Sequence, residues 1–180
     1  RTDAEGVMTL KDAQDYAQVL VDGRLVGVAD RIRRDSTVRM PVLKGGERID
    51  ILVEAMGRIN FGRGIDDRKG ITDRVTINYA LPNGSQVSVN LKDWTVYNLH
   101  DDYATQSAMH YVPLTSQRAA DCQSSPGCYR ATFHLKRVGD TYLNFESWGK
   151  GQVYVNGHPI GRFWRIGPQQ TLYMPGCWLR

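Results

Sequence analysis

Apolar and polar residues alternate along most of the chain, the pattern of strands that bury one face. The alternation is plain in residues 75–80 (VTINYA) and 86–91 (QVSVNL), which flank the turn-forming pair Asn83-Gly84. Only residues 9–20, TLKDAQDYAQVL, hint at a helix. Many short strands separated by turns predict an all-β fold of jelly-roll β-sandwiches.

The chain contains an internal repeat. Residues 17–41, AQVLVDGRLVGVADRIRRDSTVRMP, align without gaps with residues 151–175, GQVYVNGHPIGRFWRIGPQQTLYMP, at a constant offset of 134. Ten of the 25 aligned positions are identical, which chance does not readily produce. In each copy a strand leads into an Asp-Gly or Asn-Gly turn, whose central residues favour positive φ, and a second strand follows. We therefore predict two copies of one hairpin-bearing unit.

The repeat predicts two domains, residues 1–97 and 128–180, joined by a linker over 98–127, where Ser, Gln and Pro accumulate and periodicity is lost. The first copy continues into IDILVE (49–54), which has no counterpart after the second copy. The second copy is preceded by CYRATFHL (128–135), a predicted strand without a counterpart before the first copy. Each sandwich is thus expected to miss a flanking strand, which would leave backbone groups unpaired. We expect a fragment whose missing strands lie in flanking sequence, are disordered or have been removed.

Composition and charge narrow the class of protein. Hydrophobic residues make up 41% and charged residues 23% of the chain, as in ordinary globular domains. The net charge is +4, but Lys and Arg are interleaved with Asp and Glu, and Arg31, Arg33 and Arg34 form the only local excess. A nucleic-acid binder concentrates these residues on one face. The scattered charges therefore do not predict a nucleic-acid partner. No apolar run approaches the ~20 residues that span a bilayer, so a membrane is not a predicted partner either.

Three cysteines leave two alternatives open. Cys122 and Cys128 lie six residues apart in a Ser/Pro/Gly-rich loop, where they could form a disulfide in an oxidising compartment. Two free thiols explain the same spacing, and Cys177 has no obvious partner. No C-x-x-C pair, His cluster or D-x-D-x-D-G loop is present, so the sequence predicts no metal and no cofactor.

The acidic residues form no catalytic pattern. Glu54 and Glu146 lie near strand ends, where a structural hydrogen bond is the simpler role. Neighbouring side chains on extended chain point to opposite faces, so Asp66-Asp67 and Asp101-Asp102 are poorly arranged to share a proton. We interpret both pairs as solvated loop residues and predict no catalytic residue in this chain.

Two segments resemble the β-galactosidases of glycoside hydrolase family 35. GERIDILVEAMGRINFGRGIDDRKGITDRVTI resembles their first accessory β-domain, and YLNFESWGKGQVYVNGHPIGRFWRIGPQQTLYMPGCWL resembles their last jelly-roll domain. The second string is the more specific, in its pattern WGKG-x-V-x-VNG-x-x-IGR-[FY]-W. With the connecting pieces DWTVYNL and CYRATF, the resemblance covers nearly the whole chain and follows the family's domain order.

The resemblance implies the non-catalytic accessory part of a β-galactosidase. The two catalytic glutamates of the family lie in a (β/α)₈ barrel, which needs roughly 250 residues and holds its carboxyl groups about 5–5.5 Å apart. The implied partners are that barrel and β-galactosides, and a homo-oligomer could also form. An exported location, whether periplasmic, extracellular or lysosome-like, is expected. The alternative is a stand-alone galactose-binding module.

The resemblance also assigns residues to a pocket rim. The loop 56–62 is expected to lean over the barrel mouth and border the galactose pocket. Phe61, which stands where many relatives have Tyr, would be an apolar wall. Arg58 and Asn60 would fix the loop, or would brace the junction with the barrel.

Three tryptophans of the second copy are further candidates. Trp148, Trp164 and Trp178 could stack on sugar rings, or could pack in the core or at an interface, as large aromatic side chains commonly do. The first copy has Ala29 and Asp30 where the second has Phe163 and Trp164. We therefore expect the second copy to pack against something that the first does not.

Overall fold

The structure is a computed structural model in which residues 4–116, 119 and 125–179 are described. Strands dominate this part of the chain, which confirms the predicted all-β class. The strands are β1 (Gly6–Leu10), β2 (Ala13–Gln14), β3 (Tyr16–Val21), β4 (Arg24–Asp30), β5 (Thr37–Met40), β6 (Ile49–Glu54), β7 (Gly70–Ile71), β8 (Val75–Ala80), β9 (Gln86–Leu91), β10 (Thr141–Asn144), β11 (Lys150–Val155), β12 (His158–Trp164) and β13 (Thr171–Met174). Helix α1 spans Tyr103–Ala108, and a 3-10 turn spans Gly176–Trp178.

The chain divides into two compact units. The first comprises Arg1–Val96 and Leu114–Gly127, and the second comprises Tyr97–Pro113 and Cys128–Arg180. Residues of the predicted linker, 98–127, are therefore shared between the units. The domain limits at 97 and 128 stay a prediction.

The first unit is a sandwich of two antiparallel sheets. One sheet has the strand order β5-β1-β8-β9, and the other has the order β4-β3-β6. Side chains alternate between the faces of a strand, so that Val38 and Met40 of β5 are buried while Thr37 and Arg39 are exposed. The buried faces of both sheets form one core. Its buried members are Met8, Leu10, Ala17, Val19, Val21, Ala29, Val38, Met40, Val75, Ile77 and Tyr79.

Gly27 allows the two sheets of the first unit to approach closely. A Cβ atom at this position of β4 would lie 2.5 Å from Cγ1 of Val38 in β5. Protein cores are packed too densely to absorb such a contact without displacing a neighbour. The absence of a side chain at Gly27 is therefore a condition for the packing of β4 on β5.

The second unit repeats part of the first with fewer strands. It contains the antiparallel pairs β10–β13 and β11–β12. Phe163, Leu172 and Met174 are its buried apolar residues in the described part of the chain. These positions match Ala29, Val38 and Met40, which are buried in the first unit, so both units use the same three positions for their cores.

The duplication predicted from the sequence is confirmed strand by strand. Every boundary of β3, β4 and β5 recurs 134 residues later in β11, β12 and β13. Both hairpins change register at the matching step, Val19/Leu20 in one and Val153/Tyr154 in the other. Both turns also have positive φ, 47° at Asp22 and 48° at Asn156. One difference remains: β3 lies between β4 and β6, whereas β11 pairs only with β12 among the described residues.

Two local expectations were wrong, and one element was not predicted. The structure has β1, β2 and β3 where a helix was suggested for residues 9–20. Asp12 adopts a positive φ of 63°, and β1 and β3 each hydrogen-bond to neighbouring strands of their own sheets. No strand forms over 128–135, since no described strand pairs with this segment and Phe133 is 56% exposed. Helix α1 was not foreseen, although Asp102 caps it by accepting a hydrogen bond from the Thr105 amide.

Substituting Gly27 by alanine should destabilise the first unit. The added methyl group collides with Val38, and overpacking of this kind costs about 1–3 kcal/mol. Denaturant unfolding would measure the change in the free energy of unfolding. Gly57→Ala is the matched control, because a Cβ there meets no atom within 4 Å. Equal stability of the two variants would contradict the close approach of β4 and β5.

Candidate functional site

The loop between β6 and β7 is held at both ends by one buried carboxylate. Asp15 is 2% exposed. At the start of the loop, the Met56 amide donates a hydrogen bond to Oδ2 of Asp15 (2.9 Å). At its end, Nζ of Lys69 donates to the same oxygen (2.6 Å). The two ends of a segment of more than ten residues therefore meet at one side chain.

Four charged side chains balance one another at the base of this loop. Arg31 donates to Oδ1 of Asp15 (2.8 Å) and makes a two-pronged contact with Asp67 (2.6 and 3.0 Å). Lys69 also lies 3.1 Å from Asp67. Buried charges are tolerated when they are paired and hydrogen-bonded. We call Asp15, Arg31, Asp67 and Lys69 the ion-pair cluster.

The cluster shifts the pKa of its members toward their charged forms. Burial alone would raise the pKa of Asp15, but hydrogen bonds from Lys69 and Arg31 outweigh it and hold the pKa below its usual value. Hydrogen bonds from Arg31 lower the pKa of Asp67. The Asp15 hydrogen bond raises the pKa of Lys69. All four groups are therefore charged near neutral pH.

The tip of the loop is apolar and exposed. Phe61 is 88% exposed and Ile65 is 61% exposed. Two consecutive turns shape this part, because the Ile65 amide donates to the Gly62 carbonyl (3.3 Å) and the Asp67 amide donates to the Gly64 carbonyl (3.0 Å). An exposed aromatic ring on an anchored loop is a surface that suits contact with another molecule.

Arg58 and Asn60 lie on the same loop as Phe61, and both are exposed. Their side chains make no hydrogen bond or ion pair to other described residues. Inside the first unit, the loop is instead fixed by the ion-pair cluster. The roles of Arg58, Asn60 and Phe61 at a pocket rim stay a prediction, because they concern contacts beyond this chain.

An aromatic cluster covers one end of the hairpin in the second unit. Phe145 stacks on Phe163, with ring centroids 4.6 Å apart and an interplanar angle of 12°. Trp148 meets both rings edge-on at 5.8 and 6.3 Å, and Tyr129 packs on Trp148 at 5.9 Å. Trp148 remains 46% exposed. It combines a packing role with a free ring surface.

The other two tryptophans lie at opposite ends of β12. Trp164 ends the strand, where Nζ of Lys150 lies 5.0 Å from its ring centroid. Trp178 stacks on His158 at the start of the strand, with centroids 4.6 Å apart. At about 3.3 Å per residue, these ends are roughly 20 Å apart. Trp164 and Trp178 therefore do not form one sugar-binding platform, and the stacking or interface role of each stays a prediction.

A cleft lies beside the hairpin turn of the second unit. Its volume is about 350 Å³, and its walls come from residues 131–135, Val138, residues 154–156 and Leu179. It is lined by Tyr154 and Val155 at the end of β11 and by Asn156 of the turn, and consecutive strand residues point to opposite faces. The cleft therefore borders the edge of the hairpin rather than one face.

The described residues include two of the three cysteines. Cys128 and Cys177 are exposed, and neither is bonded to another described cysteine. Cys122 lies outside the described residues, so the disulfide with Cys128 stays a prediction. No group of three or more His, Cys, Asp or Glu side chains suited to a metal occurs within residues 4–116, 119 and 125–179. The same ranges contain no helix long and apolar enough to cross a bilayer.

The sequence interpretation missed the ion-pair cluster. Asp67 was expected to be a solvated loop residue, but its side chain is only 12% exposed and pairs with Arg31 and Lys69. The expectation was wrong because residues 64–67 form a turn and not extended chain, and this turn brings Asp67 to Arg31 and Lys69 while Asp66 stays exposed. The one sequence signal for the cluster was that Arg31 is identical to Arg165 at the matching position of the repeat.

Fold and site together define a duplicated β-sandwich module with anchored apolar and aromatic surfaces. Two family models match the chain: "Beta-galactosidase, first all-beta domain" over residues 1–100 and "Beta-galactosidase, galactose-binding domain" over residues 126–180. The chain belongs to the β-galactosidase family, of which it holds accessory β-domains. The resemblance to family 35 seen in the sequence is thereby confirmed.

Sequence identity to curated relatives supports the same family assignment. The chain is 34% identical over 169 residues to "Beta-galactosidase-1-like protein 3" of Homo sapiens, covering 93% of this chain and 24% of that protein. It is 34% identical to "Beta-galactosidase" of Mus musculus, over 90% of this chain and 26% of the relative. For "Beta-galactosidase" of Xanthomonas manihotis the identity is 32%, over 94% and 26%. The chain thus spans about a quarter of the length of these relatives.

Asp15→Asn should destabilise the first unit and make its free energy of unfolding depend less on pH in the acidic range. Removing one member of a buried ion pair costs about 3 kcal/mol. Since the folded pKa of Asp15 lies below the ordinary 3.8, its contribution is full above that value and is lost as pH falls through the lowered pKa. Urea unfolding from neutral to acidic pH would measure both effects. An unchanged stability gap between the wild type and the variant at every pH would contradict the role of the charge.

Proposed function

We propose that this chain is the non-catalytic accessory region of a β-galactosidase, which braces a catalytic (β/α)₈ barrel located elsewhere in the same protein. The observation that carries the proposal is the anchored loop with Phe61 at its tip, which is 88% exposed. Phe61 and Ile65 together form an exposed apolar tip, and contiguous apolar surface of this kind suits contact with another protein. The barrel of the parent enzyme is the proposed partner.

The same loop is proposed to border the galactoside pocket of the barrel. Sugars present apolar C–H faces that pack against aromatic rings, and Phe61 offers such a ring. Its neighbours Arg58 and Asn60 are free to contact the barrel or the sugar, because they make no bonds to other described residues. The residues that cleave the glycosidic bond would then be supplied by the barrel alone.

The family membership and the size of the relatives support this division of labour. Relatives named β-galactosidase are about four times as long as this chain, which matches only their accessory domains. Retaining glycosidases need a pair of carboxyl groups about 5–5.5 Å apart. We place that pair in the barrel. An exported location, where Cys122 and Cys128 could form a disulfide, is part of the same proposal.

The second unit supplies a further surface for the parent enzyme. Phe133, Leu135 and Val138 line the cleft beside the hairpin and are 56%, 45% and 49% exposed. Apolar side chains clustered in this way favour a protein neighbour over water. A free-standing galactose-binding module gains less support, since Trp164 and Trp178 are too far apart to grip one sugar.

Replacing Phe61 in the parent enzyme tests the pocket-rim role. Phe61→Ala should raise the KM for a β-galactoside about tenfold, because loss of an aromatic contact costs about 1–2 kcal/mol. Steady-state kinetics with a chromogenic β-galactoside would measure KM and kcat. Phe61→Tyr is the matched control and should keep the wild-type KM, since the ring is retained. A wild-type KM for Phe61→Ala would sink the proposed role of the loop.

A further inference from the structure

The two copies of the hairpin unit differ at the position of the buried carboxylate. The Arg31 amide donates to the Asp15 carbonyl (3.0 Å), and the Arg165 amide donates to the Gly149 carbonyl (2.8 Å). These two hydrogen bonds are equivalent, because Asp15 and Gly149 are 134 residues apart, as are the hairpins. The second copy therefore builds the same backbone frame with no side chain at this position.

A buried charge that the duplicated hairpin does not need requires another explanation. Burial of a carboxylate is unfavourable unless every partner is in place. In the first copy these partners include the amide of Met56 and the ammonium group of Lys69, at the two ends of the loop. Arg31 joins Asp67 to the same carboxylate. Asp15 is thus bonded to both ends of the segment that carries Phe61.

We propose that Asp15 is a positioning residue, which fixes the loop between Met56 and Lys69 so that Phe61 is presented in one geometry before any partner binds. What Phe61 faces rests on the proposed function, whereas the fixing of the loop does not. A loop that is already ordered loses less conformational entropy when it binds. The cluster would therefore act on affinity through Phe61 without touching the partner.

A general structural role for Asp15 makes a different prediction. If the carboxylate only stabilised the sandwich, its loss would accelerate opening of all strands of the first unit together. If it positions the loop, its loss also lets the loop open while the core strands stay closed, so that the loop exchanges by a local opening. Local and global opening of this kind are separated by amide hydrogen exchange.

Hydrogen exchange on the full 180-residue chain tests the proposal. In Asp15→Asn, the hydrogen-bonded amides of Met56, Ile65 and Asp67 should exchange about tenfold faster or more, since hydrogen bonds to a charged group are the strong ones. Amides of β1 and β8 should speed up by no more than the loss of global stability measured by urea unfolding accounts for. Asp50→Asn, which breaks the exposed pair with Arg48, is the control and should leave the loop unchanged. Unchanged loop exchange in Asp15→Asn, or loop exchange that only follows global unfolding of the unit as denaturant is added, would overturn the proposal.

Lys69→Met keeps the test decisive if Asp15→Asn does not fold. It removes the other charge of the short contact while keeping an apolar stem of similar length. The loop amides should exchange about tenfold faster in this variant as well. Combining Asp15→Asn with Lys69→Met should not increase their exchange further, because the effects of removing two paired groups are not additive. Wild-type exchange of the loop in Lys69→Met would also refute the positioning role. A freed loop together with an unchanged KM in Phe61→Ala would contradict the proposed function alone.

Discussion

Burial of one face of each hairpin against a neighbouring strand is the constraint on which both units depend. In the first unit Ala29, Val38 and Met40 form this contact, and in the second unit Phe163, Leu172 and Met174 stand at the same positions. The chain meets the constraint in two ways. The first unit builds its core from seven strands in two sheets, with the small side chain of Ala29 at one position. The second unit places the large ring of Phe163 at the position of Ala29. Gly151 makes room for that ring, since a Cβ there would lie 2.8 Å from Phe163.

Once the shared core is fixed, the surfaces of the two copies are free to differ. The first copy replaces Gly149 by Asp15, and with it gains a buried carboxylate that ties down a long loop. The second copy replaces Asp30 by Trp164, next to the aromatic cluster around Phe145. One unit thus presents an anchored apolar tip, and the other presents partly exposed rings. Duplication of a stable frame followed by changes at its rim accounts for both surfaces.

The parts of the fold that depend on neighbours in sequence could be predicted. Alternation of apolar residues and the pairs at Asp22 and Asn156 specify hairpins locally, and the repeat reveals their equivalence. The segment 128–135 has the same alternation, but a strand also needs a ladder partner, which no local pattern reports. Tertiary pairing likewise overrides the helical hint in residues 9–20.

The candidate site was only partly accessible from sequence. The resemblance placed Phe61 on a loop of interest, but the loop is fixed by residues that are far apart along the chain. Asp15 is 16 residues from Arg31 and 54 from Lys69, so no motif connects them before the sheets assemble. Asp67 was misassigned for the same reason. Charges that neutralise one another in space look like ordinary surface charges in a sequence.

We propose that these sandwiches support a galactosidase whose catalytic residues lie in the barrel. Incubating the purified chain with a chromogenic β-galactoside, beside the parent enzyme that contains it, tests this most directly. The parent enzyme should release the chromophore, and the chain alone should release none above the buffer rate. Catalytic turnover by the chain, abolished when Glu54 or Glu146 is changed to Gln, would contradict it.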